Sequence, residues 1–232
     1  MAALVGTLIA AGSVSGATGW SDPSPVGPAG TSCYEVALAV DAWGTPHVAA
    51  TCDIHITYSV QRGSGWSTTT FRQSSGVDRG PQLALDGNTL YLAFTRTVDE
   101  LTGTAIGVFY RTRELPSGAW SSLKRLGAVG DGLVAFRVAD DVLHAVVRSR
   151  GGSLLYETLR GTSLKRFAIP RVTEISRSSL RVGSDGRARV AYSDGRSLLF
   201  GVFTGTRFTV SSIPGTTAAD ILQLAGELEA AA

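Results

Sequence analysis

Residues 38–50, LAVDAWGTPHVAA, align without a gap to residues 180–192, LRVGSDGRARVAY. Two further copies, each one residue shorter in the turn, are residues 83–94, LALDGNTLYLAF, and residues 136–147, FRVADDVLHAVV. In every copy apolar residues precede and follow a short Asp- or Gly-containing segment, as in two strands joined by a turn. The chain therefore contains a strand–turn–strand unit that is repeated four times.

Each copy is followed by an aromatic residue, a Gly-containing turn and a bulky residue. The aromatic residues are Tyr58, Tyr110, Tyr156 and Phe200, and the bulky ones are Trp66, Trp120, Leu164 and Phe208. The bulky residues lie 54, 44 and 44 residues apart, and Trp20 precedes the first of them by 46. Four short strands at this period predict an all-β fold, a β-propeller, whose sheets pack face to face around an axis.

The repeat predicts four complete blades within one propeller domain of residues 18–232. Their bounds are about 33–72, 78–126, 132–169 and 176–213. Trp20 starts a segment like the fourth strand of a unit, and residues 221–224, ILQL, are like the start of a first strand. Pairing these ends predicts a fifth, composite blade that closes the ring and covers two open edges. If residues 1–17 are removed, a four-bladed ring or a fragment of a larger propeller is the alternative.

Composition limits the classes of function. The chain has 232 residues, 44% of them hydrophobic and 17% charged, with 28 Gly, which is enough for one packed domain with many tight turns. The net charge of +2 and the lack of a basic run argue against a binder of nucleic acid. No segment beyond the N-terminus approaches the roughly 18 apolar residues of a membrane span.

The N-terminus resembles an export signal. Residues 2–14 are small and apolar, and Ser15-Gly-Ala17 follows them like a cleavage zone, although the usual basic start is missing. The alternative is a Gly- and Ala-rich strand of the folded body. The first interpretation predicts an extracellular or secreted protein.

The two cysteines are predicted to form a disulfide. Cys33 and Cys52 lie opposite each other if Ala42 and Trp43 form the centre of a hairpin turn in which Val40 faces Thr45. Such a bond suits an exported protein. Too few Cys and His residues remain for a structural zinc site, and neither a metal nor another cofactor is expected.

The repeat resembles those of sialidase-like propellers, the group with bacterial neuraminidase repeats. Residues 61–66, QRGSGW, and 115–120, LPSGAW, are similar to degenerate Asp boxes that keep the Gly and Trp but lack the Asp. A weaker likeness, in size and Trp-bearing repeats, is to five-bladed lectins of the tachylectin kind. The resemblance implies a propeller over nearly the whole chain. No catalytic residue is carried over, because residues 168–170, AIP, have Ala where the family's motif has Arg and lie in the wrong blade.

The candidate ligand site is the end of the ring at which two sets of loops meet. These loops connect each fourth strand to the next blade and each second strand to the third. The candidate ligand-binding residues are Asp78, Arg79, Arg96, Asp131, Arg148, Arg150, Glu174, Arg177, Asp194 and Arg196. Their Arg and carboxylate groups suit an anionic sugar or a hydroxyl-rich glycan. The long loop at residues 97–104 is either an added functional loop or a tolerated insertion.

Two further patterns have less direct interpretations. Residues 72–207 hold 20 Lys and Arg against 12 Asp and Glu. This positive charge favours the binding of anions but is also typical of a solvated surface. One position is shared by all four units, and its residues are His47, Tyr91, His144 and Arg189. A position common to every blade predicts packing or hydrogen bonding.

These observations predict a secreted, non-catalytic propeller that binds a carbohydrate or another extracellular ligand through its loops. The expected partner is a glycan or a small anionic ligand, and the expected state is a monomer. The common motifs of hydrolase, nucleotide and metal sites are absent from the sequence. The alternatives are a glycoside hydrolase of sialidase type that uses Arg79, Arg96 or Arg148, and a scaffold for protein partners.

Overall fold

A computed structural model describes residues 26–28, 30–73, 75–172, 178–194 and 196–216. These residues form sixteen β-strands in four antiparallel sheets. No helix in the described ranges is long and apolar enough to cross a membrane. In chain order the strands are β1 (Cys33–Val40), β2 (Pro46–Cys52), β3 (His55–Arg62), β4 (Gly65–Phe71), β5 (Val77–Asp86), β6 (Thr89–Thr97), β7 (Ala105–Glu114), β8 (Lys124–Leu126), β9 (Gly132–Ala139), β10 (Val142–Arg148), β11 (Leu154–Arg160), β12 (Ser163–Ala168), β13 (Ser178–Val182), β14 (Ala188–Ser193), β15 (Leu198–Phe203) and β16 (Phe208–Ser212).

Each sheet is built from four consecutive strands, in sequence order from one edge to the other. We number these sheets blades 1 to 4 along the chain. The all-β prediction is confirmed, and the described residues contain four blades. The strands predicted for a fifth blade, at Trp20 and at residues 221–224, lie outside the described residues, as does the signal-like segment 1–17.

The blades pack against one another in sequence order, blade 1 on 2, 2 on 3 and 3 on 4. Their first strands, β1, β5, β9 and β13, contact each other in the same order, which places them on the inner side of the array. Within the described part of the chain, blades 4 and 1 share no comparable contact. We call the side of a blade that is turned toward the next blade its trailing face, and the opposite side its leading face.

Three apolar clusters fill the spaces between successive blades. In the first cluster, Tyr58 of the trailing face of blade 1 lies with Leu83 of the leading face of blade 2. Phe136 and Leu180 occupy the position of Leu83 in the next two blades, and the three side chains are 7%, 0% and 2% exposed. Leu38, at the same position in blade 1, is 64% exposed. The leading face of blade 1 therefore has no described neighbour.

A buried histidine–tyrosine pair recurs in blades 1 and 3. His47 Nδ1 lies 2.6 Å from the Tyr58 hydroxyl, and His144 Nδ1 lies 2.5 Å from the Tyr156 hydroxyl. Burial raises the pKa of both tyrosines, so each phenol keeps its proton and has an O–H group with which it can donate a hydrogen bond to the imidazole. Tyr91, at the same repeat position as the histidines, is also buried. In three blades this position is therefore buried, and in two of them its residue is also hydrogen-bonded to a tyrosine.

The first hairpin contains the predicted disulfide. Cys33 pairs with Cys52 in the sheet, and their sulfur atoms are bonded. The prediction that Val40 faces Thr45 is wrong by one residue. Glu35, which has a φ of 52°, forms a bulge that adds the extra residue and restores the opposition of the two cysteines.

Candidate functional site

The rim is the end of the array where each blade's entry loop meets the loop between its second and third strands. In blade 2, a Cβ on Gly76 would lie 2.4 Å from the carbonyl oxygen of Thr97, so the two loops touch. In blade 3, Gly130 has a φ of 87°, and a Cβ there would lie 3.2 Å from Cβ of Arg150. Both blades therefore join their loops through a glycine that leaves room for the neighbouring loop.

Eight of the ten predicted ligand-binding residues lie in the described ranges, at or next to these loops. They are Asp78, Arg79, Arg96, Asp131, Arg148, Arg150, Asp194 and Arg196. Glu174 and Arg177 lie outside the described residues. The convergence of these side chains on one ligand stays a prediction.

Asp78 and Arg96 form a two-bonded ion pair between β5 and β6. Arg96 Nε donates to Asp78 Oδ1 at 2.6 Å, and Arg96 Nη2 donates to Oδ2 at 3.0 Å. The Asp78 side chain is almost fully buried, and the guanidinium also lies 5.1 Å from the ring centre of Phe109. Burial raises the pKa of Asp78, although the hydrogen bonds and charge of Arg96 oppose this shift. Both oxygens of Asp78 are thus bonded to Arg96 within blade 2.

Asp131 belongs to a second buried cluster, between blades 2 and 3. Arg166 of β12 donates from Nη2 to Asp131 Oδ2 at 2.5 Å and places its Nε 2.6 Å from Glu157 Oε1. Asp131 Oδ2 also accepts the backbone N–H of Ala128 at 2.8 Å. A Cβ on Gly127 would lie 2.6 Å from Glu157 Oε2, so only glycine fits beside that carboxylate.

One guanidinium therefore faces two buried carboxylates. Glu157 is 0% exposed, and its Oε2 has no hydrogen-bond partner among the described residues. Burial raises the pKa of Glu157, and the charge of Arg166 offsets this only in part. Burial disfavours the charged form of a carboxyl group, and a guanidinium that is shared with a second carboxylate compensates this cost only in part.

Glu157 and Arg166 were missed by sequence reasoning. The available signal was the alternation in β11, where Glu157 takes an inward position between Leu155 and Leu159. A charged residue in such a position indicates a buried partner. Its partner Arg166 lies opposite Glu157 in the β11–β12 hairpin, so the hairpin register is a signal for that pair, whereas Asp131 lies 35 residues before Arg166 and has no local signal.

Among the predicted ligand-binding residues that the structure describes, the exposed cations are Arg148, Arg150 and Arg196. Arg148 ends β10, and Arg150 follows in the loop that touches Gly130. Arg196 lies in the equivalent loop of blade 4. These three guanidinium groups, unlike Arg96, are open to solvent and suit the oxygens of an anionic ligand.

The remaining predicted residues organise the loops themselves. Arg79 Nη2 donates to the carbonyl oxygen of Glu100 at 3.2 Å and so ties β5 to the inserted loop. Asp194 Oδ1 accepts the backbone N–H of Arg196 at 3.0 Å and that of Ser197 at 2.8 Å, and these hydrogen bonds lower the pKa of Asp194. Arg171 Nη2 lies 3.5 Å from Asp194 Oδ2, linking two loops across blades 3 and 4.

No group of three or more His, Cys, Asp or Glu side chains is gathered for a metal ion in the described ranges. The residues present therefore offer guanidinium groups and backbone amides as ligand contacts, and their carboxylates are held in ion pairs or loop turns. This set suits binding of an anion by hydrogen bonds and charge.

A cavity of about 580 Å³ lies elsewhere, on the trailing face of blade 4. Ala191 of β14 and Phe200 of β15 form part of its apolar wall. Its charged lining consists of Arg137, Arg181, Asp185 and Arg189. Of these residues the sequence analysis named only Arg189, at a position expected to serve packing or hydrogen bonding, and Arg189 donates to both oxygens of Asp185 at 2.9 and 2.8 Å.

No family model matches the sequence, and no curated protein does. Solved structures do match. A family 117 glycoside hydrolase, Zg3597 of Zobellia galactanivorans, is 13% identical with a TM-score of 0.54, over 78% of this chain and 70% of that one. Trypanosoma rangeli sialidase in complex with the inhibitor DANA is 15% identical with a TM-score of 0.58, over 78% of this chain and 38% of that one. This chain has a sialidase-like propeller fold.

A third neighbour is the PL25 ulvan lyase bound to a GlcA- and sulfated Rha-containing ligand, at 12% identity and a TM-score of 0.57. That alignment covers 76% of this chain and 54% of the lyase. This chain thus spans between about two fifths and seven tenths of the length of the three neighbours. At these identities the likeness establishes the fold alone.

Proposed function

We propose that this protein is a non-catalytic propeller that binds an anionic glycan through the rim. The observation that carries the proposal is the contrast at the rim between exposed arginines and buried carboxylates. Arg148, Arg150 and Arg196 are exposed, while Asp78 and Asp131 are buried in ion pairs. Guanidinium groups bind carboxylate and sulfate oxygens in pairs, which suits uronate, sialate or sulfated sugars.

The absence of catalysis is inferred from the state of the carboxylates. Most glycoside hydrolases use two carboxyl groups on either side of the scissile bond. At this rim both oxygens of Asp78 accept hydrogen bonds from Arg96, and Asp131 is held by Arg166. The neighbours include enzymes whose structures hold sialic acid or an ulvan oligosaccharide, which supports a sugar ligand without assigning a reaction.

A protein partner is the second candidate. Large apolar side chains are exposed on the same loops, with Leu101 99%, Val129 68% and Val98 55% exposed. Exposed apolar residues beside a polar rim are typical of protein interaction sites. A partner protein that binds the wild type but not a Leu101→Asp and Val129→Asp double variant would favour this alternative.

The glycan proposal is tested with a glycan array followed by calorimetric titration. We expect binding of at least one uronate-, sialate- or sulfate-bearing glycan. The Arg148→Ala and Arg150→Ala double variant is expected to bind it at least roughly tenfold more weakly, because hydrogen bonds to charged groups contribute about 1.5–3 kcal/mol each.

The matched control replaces two exposed arginines in turns at the opposite end of blade 4, Arg187→Ala and Arg207→Ala. This control should bind as the wild type does. Failure to bind any sugar class, or equal affinity in both double variants, would refute the proposal. Release of 4-methylumbelliferone from a sialoside, lost in Arg79→Ala or Arg96→Ala, would establish the sialidase-type alternative instead.

We also propose that the protein is exported, acts as a monomer and has a five-bladed ring. The Cys33–Cys52 disulfide suits an oxidising compartment. The support for a fifth blade is the open leading face of blade 1, where Leu38 is exposed although its three counterparts are buried. In this proposal the strand at residues 221–224 supplies the inner edge of the fifth blade and N-terminal strands supply the outer edge.

A further inference from the structure

A second cavity lies on blade 3, at the end of the array opposite the rim. Thr158 and Arg160 of its wall follow Tyr156 at intervals of two residues, so they share its face of the sheet. Tyr156 packs with Leu180 of blade 4, which places the cavity on the trailing face of blade 3. Its volume of about 270 Å³ is below the roughly 300–1,000 Å³ of pockets for whole small molecules and suits a single small group. The cavity is lined by Val142, Thr158, Arg160, Ser163 and Lys165.

The equivalent space on blade 1 is covered by the next blade. Arg62 occupies the repeat position of Arg160. Its Nη2 donates at 3.3 Å to the carbonyl oxygen of Pro116, in the connection between β7 and β8 of blade 2. The bulky residue of the repeat follows the third-strand aromatic by ten positions in blade 2 and by eight in blade 4. The shorter connection of blade 4 makes no hydrogen bond with Arg160 and leaves this space open.

The cations of this cavity are not neutralised by other described residues. Arg160 makes one side-chain hydrogen bond, from Nη2 to the carbonyl oxygen of Asp140 at 3.5 Å. The Lys165 ammonium has no hydrogen bond or ion pair with another described residue, and the described lining contains no carboxylate. The cavity therefore has a net positive lining.

The carboxylate of β11 lies on the other side of the sheet. Glu157 directly precedes Thr158, so its side chain points to the opposite face, where Arg166 Nε lies 2.6 Å from Glu157 Oε1. Lys165 and Arg166 alternate in the same way along β12. The pair Glu157–Arg166 is thus internally balanced and leaves the charge of the cavity unchanged.

The polar groups of the cavity differ from those of blade 1. Thr158 lies opposite Lys165, and the equivalent strand pair of blade 1 is Val60 opposite Ser67. Blade 3 thus has an additional cation on the face that its neighbour leaves open. The hydroxyl groups of Thr158 and Ser163 have no hydrogen bond to another described residue, so they can donate to a ligand.

We propose that the cavity on blade 3 binds a phosphate or sulfate group. Arg160 and Lys165 supply the positive charge, and Thr158 and Ser163 donate hydrogen bonds. These donors come from two neighbouring strands, since Arg160 lies opposite Ser163 and Thr158 opposite Lys165. A tetrahedral dianion accepts hydrogen bonds from several directions and therefore fits them. The inference does not depend on the glycan proposal, because none of the four residues belongs to the rim.

Site-resolved NMR on the isotope-labelled full chain tests the proposal. The probe is inorganic phosphate, with the ionic strength held constant by sodium chloride. The backbone amide signals of Thr158 and Ser163 should shift and saturate. Those of Arg148 and Arg150 report separately on the rim, so the two proposals can fail independently. A wild type without a saturable shift at Thr158 and Ser163 would overturn the cavity proposal.

Removal of the two cations tests their role. Arg160→Ala with Lys165→Ala should weaken phosphate binding at Thr158 at least roughly tenfold. The matched control, Arg72→Ala with Arg187→Ala, removes the same charge from two exposed arginines of other blades. Its affinity should stay within about twofold of the wild type, because salt screens distant charges. Equal weakening in both double variants would show general charge attraction and refute a local site.

A charge placed inside the cavity provides a second test that preserves the fold, because Ser163 is exposed at the start of β12. Ser163→Glu supplies a carboxylate to Arg160 and Lys165 and should abolish phosphate binding. Ser163→Gln has nearly the same size without the charge and should retain it. Equal affinity in these two variants would contradict the proposal.

The choice of anion identifies the ligand class. Inorganic sulfate should bind as phosphate does, and acetate, a planar monoanion, should bind at least roughly tenfold more weakly. Acetate binding as tight as phosphate binding would overturn the assignment to a phosphate or sulfate group. The sulfate ester of a monosaccharide distinguishes the sources: binding at Thr158 would indicate an ester group on a sugar, and its exclusion while inorganic sulfate binds would indicate the free ion.

Discussion

At the residue scale, the buried Glu157 carboxyl group is compensated only in part by its neighbours. It shares Arg166 with Asp131, and its second oxygen has no hydrogen-bond partner among the described residues. Burial raises the pKa of Glu157 above its ordinary value of 4.5. A carboxyl group whose pKa is raised by folding stabilises the native state below its ordinary pKa and loses that contribution as the pH rises through its folded pKa.

We therefore expect Glu157→Gln to gain stability relative to the wild type as the pH rises above 4.5. At pH 4 the wild-type acid is neutral, so the two proteins should have similar Tm values. At pH 8 the glutamine variant should have the higher Tm, because it carries no buried negative charge. The measurement is the Tm of both proteins at several pH values from 4 to 8.

Glu100→Gln is the control, since Glu100 is exposed on the inserted loop. Its Tm difference from the wild type should not change with pH. A Glu157→Gln variant that loses stability above pH 4.5 would mean that the ion pair with Arg166 outweighs the burial of the charge.

At the element scale, the first hairpin shows how far the sequence determines a strand pair. The opposition of Cys33 and Cys52 followed from counting outward from a turn, and it is confirmed. The register near the turn was wrong because the bulge at Glu35 has no signature in the sequence. Its cause is tertiary, since Glu35 Oε2 accepts the hydroxyl of Thr51 at 3.0 Å and the backbone N–H of Gly80 in blade 2 at 2.8 Å.

The disulfide is expected to stabilise the protein by restricting the unfolded chain between two residues 19 apart. For a loop of this length the stabilisation is about 3 kcal/mol, which corresponds to roughly 6–12 °C in Tm for a domain of this size. The Cys33→Ser and Cys52→Ser double variant should therefore unfold at a lower temperature in a calorimetric scan.

Adding a reductant allows the reduced wild type to be compared with the double variant. It should lower the Tm of the wild type to that of the double variant and leave the double variant unchanged. A wild type that is insensitive to reductant, although mapping shows the bond to be reduced, would contradict a stabilising role.

At the scale of the whole molecule, the internal repeat was sufficient to predict an all-β array and the four described blades. Local patterns such as alternation and turn residues recur in every blade, so they are visible without a structure. The side-chain network of the rim was harder to predict from the sequence. Glu157 and Arg166 face each other in the β11–β12 hairpin, but Asp131 reaches Arg166 from the loop before β9, 35 residues earlier, and no local pattern encodes that contact.

Cohesion of the array depends on the apolar clusters between blades. Phe136 is 0% exposed and lies in the cluster that joins blades 2 and 3. Phe136→Ala is expected to lower the free energy of unfolding by about 3–5 kcal/mol, because it leaves a cavity at the centre of that joint. The measurement is urea unfolding followed by both fluorescence and circular dichroism.

Leu101→Ala, at an exposed side chain, should change the free energy of unfolding by less than about 0.5 kcal/mol. The two probes should give coincident transitions for both variants if the blades unfold as one unit. A second transition in Phe136→Ala would show that the halves of the array unfold separately.

The position of the disulfide has a mechanical consequence. Cys33 and Cys52 form a covalent crosspiece between β1 and β2 of blade 1, whereas the strands of blade 4 are held by hydrogen bonds and packing. A tensile load applied across the described blades would therefore separate the strands of blade 4 before those of the first hairpin. The stapled hairpin would keep its strand pairing after the other hairpins have opened.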